Sequence, residues 1–433
     1  MSFFRIDEIF NFEKGVLQSS KCVPGEYDFI TASSDWKTHN EYTHDCEALI
    51  FAAAASGSLG RTHYVNGKFI SSDLCFIITP KDQENLPVDL KFYHILFNEL
   101  KDEIVRNTKA GTSKEAIGLG SFGKYKLPYF DIDTQIEIKN RFVNAEELKS
   151  ELSSELLSQV DLVKKLRQQL LQDAVQGKLV EQNPKDEPAS ELLKKIKAEK
   201  VKLIAEKKLK KEKELPPIKA EEIPFEIPDN WVWCRLGEVC TFISGNNFNS
   251  EDFKKEEGVK CIKITNAGVR CVIETDDFLP LNFKEKHKQY LVYKNDLILA
   301  LTRPYIADGL KISKCPDSYN ESLLNQRVAV IRSTKFINND YVYSFLGSDF
   351  VLNIYKGMFE GKGQQPNLKK EDVTELLIPL PPLSEQIRIV QKLDELMQHC
   401  NELEASIKES KSQNEKLLQQ VLREALRKEE VEA

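Results

Sequence analysis

The sequence predicts an α+β protein in which two mixed α/β globular regions are each followed by a long helix of the coiled-coil type. Three observations predict this fold class. Apolar residues follow a heptad pattern in two separate stretches of the chain. The second stretch repeats the first at an offset of 251 residues without a gap, so that Gln135 and Ile138 recur as Gln386 and Ile389. The chain has 433 residues, a length that favours two or more domains.

The pattern divides the chain into five segments. In the first, short or alternating apolar runs such as YDFITAS, ALIFAAAAS and LCFIITP predict strands, and Leu90 to Val105 predicts a helix. The segments are a first globular domain at 1–132, a first long helix at 133–180, a central charged linker at 181–230, a second globular domain at 231–380 and a second long helix at 381–433.

Each long helix has ten seam positions that step by four and three residues. The first helix is expected to begin near Asp133 and to stop at Gly177. The seam of the first helix is Ile138, Phe142, Ala145, Lys149, Leu152, Leu156, Gln159, Val163, Leu166 and Leu170, and that of the second is Ile389, Leu393, Leu396, Cys400, Leu403, Ile407, Ser410, Asn414, Leu417 and Val421.

The central linker contains a run dense in lysine and glutamate, from Ala189 to Leu215. This run predicts a solvated linker helix or, as the alternative, a patch that binds phosphates. The second globular domain then begins like the first, because four identities recur at an offset of 230 residues within a pattern that ends in a glycine turn. They are Arg5, Glu8, Phe12 and Gly15, which match Arg235, Glu238, Phe242 and Gly245.

The bulk composition predicts a cytoplasmic protein and gives no sign of nucleic-acid binding. No window holds the 18 or more apolar residues of a membrane span, and the N-terminus has no cleavable signal pattern. The nine cysteines are scattered and form no CxxC pair, which favours reduced thiols. The net charge is −7, so any contact with DNA has to come from locally concentrated basic residues.

Several motifs resemble catalytic or ligand-binding sites, but each lacks residues or a structural context that such a site requires. The stretch GLGSFGK at 118–124 matches a phosphate-binding loop, but an extended segment with Pro128 follows it where a helix is needed, and Tyr125 replaces the required Ser or Thr. His39, His44 and Cys46 lack a second ligand pair at zinc-site spacing. The sequence therefore predicts no catalytic residue, metal or cofactor in this chain.

Four parts of the chain carry a family resemblance. The segments ALTRPYIADGLKIS (300–313), NQRVAVIRS (325–333) and GKGQQPNLKKEDVTELLIPLPPLSEQ (361–386), together with the duplicated helix, closely resemble the specificity subunit of type I restriction-modification systems. The resemblance implies two target-recognition domains joined by two long antiparallel helices that form a coiled coil, with an internal pseudo-twofold repeat. The first domain departs from the pattern, since it has LPYFDID where the second has a Pro-Leu-Pro-Pro run.

The same resemblance implies a function and partners. Each recognition domain reads one half of a split target in double-stranded DNA, and the subunit docks two methyltransferase subunits for DNA methylation. Motor-nuclease subunits join them for restriction, which defends the cell against foreign DNA. S-adenosylmethionine, ATP and magnesium are then expected on those partner subunits, and this chain is expected to be a non-catalytic recognition subunit.

Arg, Lys and Gln side chains on glycine- or proline-flanked loops are candidates for DNA contact, because they make the bidentate bonds that distinguish base pairs. The stretch from Ile104 to Lys126 also concentrates five basic residues against one acid, Glu115. The candidates are Arg61, Arg106, Lys109 and Lys114 in the first domain and Arg303, Gln326, Arg327, Lys362, Gln364 and Gln365 in the second.

Two other functions stay open at this point. The chain could be a coiled-coil scaffold whose globular domains bind protein rather than DNA, which would be distinguished by whether neighbouring genes encode a methyltransferase and a helicase-nuclease. An enzyme acting alone is disfavoured by the missing motifs.

The polar seam positions predict how the two helices align. In an antiparallel pair, the numbers of facing residues add to a constant. A sum of 573 places Gln159 against Asn414 and Lys149 against Glu424, whereas a sum of 566 places Gln159 against Ile407. We expect 573, because a buried polar group without a partner costs about 1–3 kcal/mol.

Overall fold

A computed structural model describes residues 2–54, 57–110, 115–206, 213–307, 309–361 and 365–431. Its contacts divide the chain into two compact units: the first comprises residues 1–158 and 407–433, and the second comprises residues 159–406. Both contain helices and strands, so the mixed α/β expectation is confirmed. Among the residues described, no helix combines the length and apolar character that crossing a bilayer requires.

The first unit is built on a six-stranded sheet. Its elements are β1 Ser2–Arg5, α1 Ile6–Ile9, β2 Phe10–Lys14, β3 Tyr27–Ile30, β4 Lys37–His39, β5 His44–Ala52, β6 Thr62–Ser71, β7 Cys75–Pro80, α2 Leu90–Glu99, α3 Lys101–Thr108, β8 Lys109–Ala110, β9 Ala116–Ile117, α4 Leu119–Lys124, β10 Lys126–Tyr129 and the long helix α5 Ile132–Val175 as far as residue 158. Residues 407–431 of the second long helix also belong to it. The strand order of the sheet is β2-β7-β5-β6-β3-β4, in which only the β3–β6 pair is parallel. Strand β5 alternates Leu49 and Phe51 into one buried cluster with Ala48 and Ile50 into another, so both faces of the sheet are covered.

The second unit contains two four-stranded sheets and several helices. Its elements are the rest of α5 from residue 159, α6 Ala189–Ala205, β11 Val232–Arg235, α7 Leu236–Val239, β12 Cys240–Ser244, β13 Val259–Ile262, β14 Phe278–Leu279, α8 Phe283–Lys286, β15 Leu291–Val292, β16 Leu297–Ala300, β17 Tyr305–Ile306, β18 Gly309–Leu310, β19 Ile312–Lys314, β20 Ser322–Leu324, β21 Val328–Ser333, α9 Asn339–Leu346, α10 Asp349–Phe359, α11 Lys370–Thr374, β22 Leu377–Leu380 and the long helix α12 Leu383–Val431 as far as residue 406. The strand orders of the two sheets are β12-β21-β16-β19 and β14-β13-β20-β15.

Helix α6 occupies the lysine-rich run of the central linker, and it is not solvated along its whole length. Leu192 and Ile196 are buried in the main core of the second unit. The Lys200 ammonium donates to the backbone oxygens of Gly237 and Cys240 at 2.6 and 2.9 Å. This run is therefore an amphipathic helix with one buried face, which its high content of lysine and glutamate did not indicate.

The short repeat seen in the sequence is also a structural repeat, because each globular domain begins with strand, short helix and strand, β1-α1-β2 and β11-α7-β12. The Arg5 N–H donates to Glu8 Oε2 at 2.7 Å, and the Arg235 N–H donates to Glu238 Oε2 at 2.8 Å. Both copies then end in a tightly packed glycine. A Cβ added to Gly15 would lie 2.1 Å from the backbone oxygen of Ser72, and one added to Gly245 would lie 1.9 Å from that of Asn325. Only glycine allows this close backbone approach.

Helix α5 ends where the sequence predicts. Gly177 has a φ of +72°, and the Lys178 N–H donates to the backbone oxygen of Asp173 at 2.8 Å, which is the bonding of a glycine C-cap. Beyond Ile138, one of the two seam columns of the helix is more buried than the other. Phe142 and Leu156 are buried, whereas Leu152 is 43% exposed.

The expected register of 573 is wrong. Within the first unit, Asn414 Nδ2 donates to the Lys149 backbone oxygen at 3.0 Å and to Ser153 Oγ at 2.9 Å. The numbers 414 and 149 add to 563, and 414 and 153 add to 567, so the helices follow the sum of 566. A backbone carbonyl and a serine hydroxyl accept both hydrogen bonds from Asn414 Nδ2, so this donor does not need the facing glutamine that we expected, while the buried Asn414 Oδ1 has no hydrogen-bond partner among the described residues.

Disulfide trapping tests this register. Cysteines at Ser153 and Asn414 should crosslink under mild oxidation, because the two side chains are in hydrogen-bond contact. Cysteines at Gln159 and Asn414 should not, because residue 159 lies six positions further along α5, about 9 Å at 1.5 Å per residue. Efficient crosslinking of the 159–414 pair alone would restore the sum of 573.

A glutamine repeated at the offset of 251 ties each globular region to its long helix. Gln135 Oε1 accepts the Asp89 N–H at 2.7 Å, and its Nε2 donates to the Phe130 backbone oxygen at 2.7 Å. Gln386 repeats both bonds, to the Asn338 N–H at 2.7 Å and the Pro381 backbone oxygen at 2.9 Å. Asp89 and Asn338 are the N-cap residues of α2 and α9, so each glutamine fixes a domain helix to the start of a long helix.

Replacing either glutamine by alanine should lower the free energy of unfolding by about 1–3 kcal/mol, because it strands a buried N–H and a buried carbonyl. Gln169→Ala is the matched control, since this α5 glutamine is exposed and bonds only locally to Asp173 among the contacts described. It should change stability by no more than about 0.5 kcal/mol. Urea unfolding monitored by circular dichroism measures the difference, and equal losses in Gln135→Ala, Gln386→Ala and Gln169→Ala would contradict the assignment.

Candidate nucleic-acid interface

Three loop segments meet at one edge of the second unit: residues 301–304 after β16, residues 325–327 between β20 and β21, and residues 365–368 before α11. The Leu301 N–H donates to the Arg327 backbone oxygen at 2.8 Å, and the Leu368 N–H donates to that of Leu301 at 2.8 Å. The Arg303 N–H donates to the Pro366 backbone oxygen at 2.9 Å. We call these three segments the second edge. Segments that are distant in sequence are thus fixed side by side.

Arg303 and Arg327 project from the second edge. Both are exposed, and both have positive φ, +49° and +71°, which is uncommon for residues with a Cβ and recurs at functional sites. Neither guanidinium forms an ion pair with any of the residues described here. Two unpaired arginines held on a fixed backbone can form bidentate bonds with guanine or with a phosphate.

Arg332, five residues along β21, shows what a structural arginine looks like in the same sheet. Its Nε donates to Asp296 Oδ1 at 2.8 Å, and Asp296 is buried. Burial lowers the pKa of this guanidinium, but the hydrogen bond to Asp296 and the charge interactions with Asp296 and Tyr293 together outweigh burial, so the pKa is raised. Arg332 is thus engaged within the sheet, whereas Arg303 and Arg327 form no ion pair with the described residues.

Two of the remaining candidates of the second domain, Gln326 and Gln365, fall on the same segments. Gln326 is exposed, and its backbone N–H donates to the Asn246 backbone oxygen at 2.8 Å, which brings the loop after β12 to the second edge. Gln365 is exposed beside Pro366. Lys362 and Gln364 lie outside the described residues.

The first unit has an edge built on corresponding backbone bonds. The Ala53 N–H donates to the Leu74 backbone oxygen at 2.9 Å, as Leu301 does to Arg327, and the Ile117 N–H donates to the Ala53 backbone oxygen at 2.8 Å, as Leu368 does to Leu301. We call the segments 53–61, 72–74 and 115–117 the first edge, of which the structure describes all but residues 55 and 56.

The sequence candidates of the first domain are less free than those of the second. Arg61 Nη1 donates to the Ala32 backbone oxygen at 3.1 Å, so this side chain is partly used within the unit. Lys109 Nζ lies 2.7 Å from Glu115 Oε1 in an exposed ion pair, which is weak enough to exchange for a phosphate. Arg106 is exposed in the last turn of α3, and Lys114 lies outside the described residues.

Two basic residues near these edges were missed by sequence reasoning. The Ala300 N–H donates to the Lys311 backbone oxygen at 3.0 Å, just as the Ala52 N–H donates to that of Arg61 at 2.8 Å, so Lys311 is the counterpart of Arg61. Arg270 is exposed at a φ of +60°. No ungapped offset aligns the loops, because they differ in length, and only the backbone bonds reveal the correspondence.

The rejected motifs have ordinary structural roles. Residues 119–124 form the six-residue helix α4, and the extended strand β10 follows, as expected from the sequence. His39 Nδ1 accepts the Val23 N–H at 3.0 Å, and His44 Nε2 lies 2.7 Å from Glu13 Oε1. Within the described part of the chain, no group of three or more His, Cys, Asp or Glu side chains could hold a metal ion.

Comparison with known proteins shows the family of the chain that carries these edges. The family model for the type I restriction modification DNA specificity domain matches residues 1–162 and 228–410, one match over each globular region with part of its long helix. The chain belongs to the type I restriction-modification DNA specificity family. The resemblance read from the helix repeat and the IPLPPLSEQ segment is thus confirmed.

Relatives within this family cover different shares of the chain. The chain is 41% identical over 249 residues to the type I restriction enzyme EcoAI specificity subunit of Escherichia coli, and 31% identical over 253 residues to the EcoEI specificity subunit. These matches span 57% and 56% of this chain but only 42% and 41% of the relatives. The EcoDI specificity subunit matches over 93% of the chain and 82% of its own length, at 22% identity.

Solved structures show the same fold over nearly the whole chain. The HsdS subunit from Thermoanaerobacter tengcongensis superposes with a TM-score of 0.54 at 17% identity, covering 98% of this chain and 96% of that one. A chain from a structure of the type I R-M system superposes with a TM-score of 0.55 at 18% identity, covering 98% and 97%.

Proposed function

We propose that this chain is the DNA-recognition subunit of a type I restriction-modification complex and that each unit reads one block of a split target. The observation that carries the proposal is the pair of corresponding edges. The second edge presents two exposed arginines at positive φ that form no ion pair with the described residues. Arginine bonded bidentately to guanine is the commonest specific contact in the major groove. Family membership supplies the setting in which such edges would meet DNA.

In this proposal the two long helices pair as an antiparallel coiled coil about a pseudo-twofold axis and hold the recognition domains apart. The bonds of Asn414 to Lys149 and Ser153 in the first unit support such a pairing. So do those of Arg167 Nη2 to Asn401 Oδ1 at 2.8 Å and to Glu404 Oε2 at 3.0 Å in the second. The target is then two short blocks around an unspecified spacer, set by the separation of the two edges.

Docking of methyltransferase subunits is supported by apolar side chains that the long helix leaves uncovered. Leu148 is 62% exposed, and Leu157, Leu162 and Leu166 also face solvent along α5. Burying a leucine side chain contributes about 1.5–3 kcal/mol, so helices of partner subunits could bind here. Two methyltransferase subunits and motor-nuclease subunits would carry S-adenosylmethionine, ATP and magnesium, while this chain makes no catalytic contribution.

The acidic net charge is consistent with such an assembly. With a charge of −7, the chain alone binds DNA weakly in this proposal. Partner subunits that close around the duplex would supply many of the phosphate contacts, which provide the salt-dependent part of the affinity. The edges then contribute the sequence-specific part.

Genome-wide methylation mapping tests the proposal. A host that carries the complete system should show methylation at a motif of two blocks around a spacer, and deletion of this gene alone should remove methylation at every copy of that motif. Restoring the gene should bring it back. An unchanged methylation pattern after deletion would refute the proposed function.

A further inference from the structure

At and beside the first edge, apolar side chains lie where the second unit carries polar ones. Gly15 and Gly245 are counterparts, but the first unit has one residue more after its glycine. The Val16 N–H donates to the Ser71 backbone oxygen at 3.1 Å, as the Asn246 N–H does to that of Leu324 at 2.9 Å, and the Leu17 backbone oxygen accepts the Asp73 N–H at 3.1 Å, as that of Asn246 accepts the Gln326 N–H at 2.8 Å. Val16, which is 67% exposed, and Leu17 together thus lie in the place of one asparagine.

Leu74 stands in the place of Arg327. The Gly15 N–H donates to the Cys75 backbone oxygen at 3.0 Å, and the Gly245 N–H donates to that of Val328 at 3.1 Å, so Cys75 and Val328 correspond. The residues before them, Leu74 and Arg327, therefore correspond as well, and each accepts an edge N–H, from Ala53 and Leu301. Leu74 is 40% exposed.

Val16 and Leu74 lie on two neighbouring loops of the first unit. Beside them, the Asp73 N–H donates to the Leu17 backbone oxygen at 3.1 Å, which joins the two loops directly. A single exposed apolar side chain is ordinary and needs no explanation. Here the position matters, because two such residues occupy the places that hold Asn246 and Arg327 in the second unit.

We propose that Val16 and Leu74 contact a thymine methyl group in the first block of the target, where Asn246 and Arg327 contact polar base edges in the second block. Valine and leucine cannot donate or accept hydrogen bonds, and the C5 methyl of thymine is the apolar group that base pairs present in the major groove. This inference rests on the proposed function and adds the base chemistry that the first edge selects: an A·T pair at one or more positions.

Replacing thymine by uracil tests the inference, because it removes only the C5 methyl and keeps every hydrogen-bonding group of the base. The full complex with its methyltransferase subunits is titrated with duplexes that carry uracil at each thymine of the first block in turn. Wild type should lose about fourfold in affinity at one position, the factor equivalent to roughly 0.8 kcal/mol for one buried methyl group. Leu74→Ala or Val16→Ala should bind the thymine and uracil duplexes equally at that position.

Two controls accompany the titration. Val23→Ala alters an exposed valine whose backbone bonds to His39 and Asn40 rather than to the loops of Val16 and Leu74, and it should keep the wild-type preference for thymine. Uracil in the second block should affect wild type and Leu74→Ala alike. If both variants keep the wild-type preference, if wild type shows none, or if the variants lose assembly with the methyltransferase subunits, the inference is overturned. A wild-type complex that binds its mapped site no better than a scrambled duplex instead refutes the proposed function.

Discussion

Exchanging residues 231–380 for the equivalent domain of a related specificity subunit should replace one block of the methylated sequence and leave the other block unchanged. We expect the whole block to be replaced, because all residues of the second edge lie within the exchanged range. The first edge belongs to the other compact unit and stays as it is. Methylation mapping in a host that carries the chimaera measures the outcome.

The junctions of this exchange need care, because the core of the second unit extends beyond them. Leu192 and Ile196 of α6 pack in that core, and Trp231 Nε1 donates to Glu385 Oε2 at 3.0 Å across the second junction. A donor domain should therefore keep Trp231 and its apolar neighbours. The reciprocal exchange of residues 1–132 is the matched control and should change the other block. A chimaera that changes both blocks would show that the units do not read DNA independently.

Arg303→Ala and Arg327→Ala should each weaken binding of the assembled complex to its target by about 1–3 kcal/mol, which is roughly 5- to 150-fold. Both positions already have positive φ with a Cβ present, so alanine adds no new backbone strain. Fluorescence anisotropy on cognate and scrambled duplexes across a salt series separates two modes of contact. Loss of a base contact relaxes specificity at one position, whereas loss of a phosphate contact weakens all sequences and lowers the salt slope by about one.

Lys335→Ala is the matched control for the arginine variants. Lys335 lies beyond the opposite end of β21 from Arg327, and its Nζ is paired with Glu199 Oε1 at 2.8 Å. Its replacement by alanine, like that of each arginine, removes one exposed positive charge from the second unit. Its variant should keep cognate affinity and specificity. If Arg303→Ala and Arg327→Ala bind both duplexes as the wild type does, the second edge is not the surface that meets DNA.

The long helices could be predicted because buried residues recur along them at heptad spacing, which leaves a periodic pattern of apolar residues in the sequence. The heptad steps place Ile138 and Ile389 at equivalent points of α5 and α12, and both are buried. The glycine turns at Gly15 and Gly245 were also visible, because a position that tolerates no Cβ fixes the residue type in each copy. Both the heptad spacing and the glycine turns constrain the residue type at particular positions, so they can be read from the sequence alone.

The parts that could not be predicted depend on bonds to the backbone. The register expectation assumed that the amide of Asn414 would need a polar side chain opposite, but the Lys149 carbonyl accepts its N–H equally well. The correspondence between the first and second edges is likewise carried by backbone N–H groups, such as those of Ala53 and Leu301, which any residue supplies. The sequence therefore predicted that Arg303 and Arg327 lie on loops, but it did not indicate that Leu74 occupies the corresponding position in the first unit.

Methylation-interference footprinting of the assembled complex tests the central claim most directly, because it locates the guanines and adenines whose modification blocks binding. Two clusters of interfering bases should appear, separated by a stretch in which modification has no effect, and Arg327→Ala should weaken interference in one cluster alone. One continuous cluster, or an Arg327→Ala variant that alters both clusters equally, would contradict recognition by two separate edges.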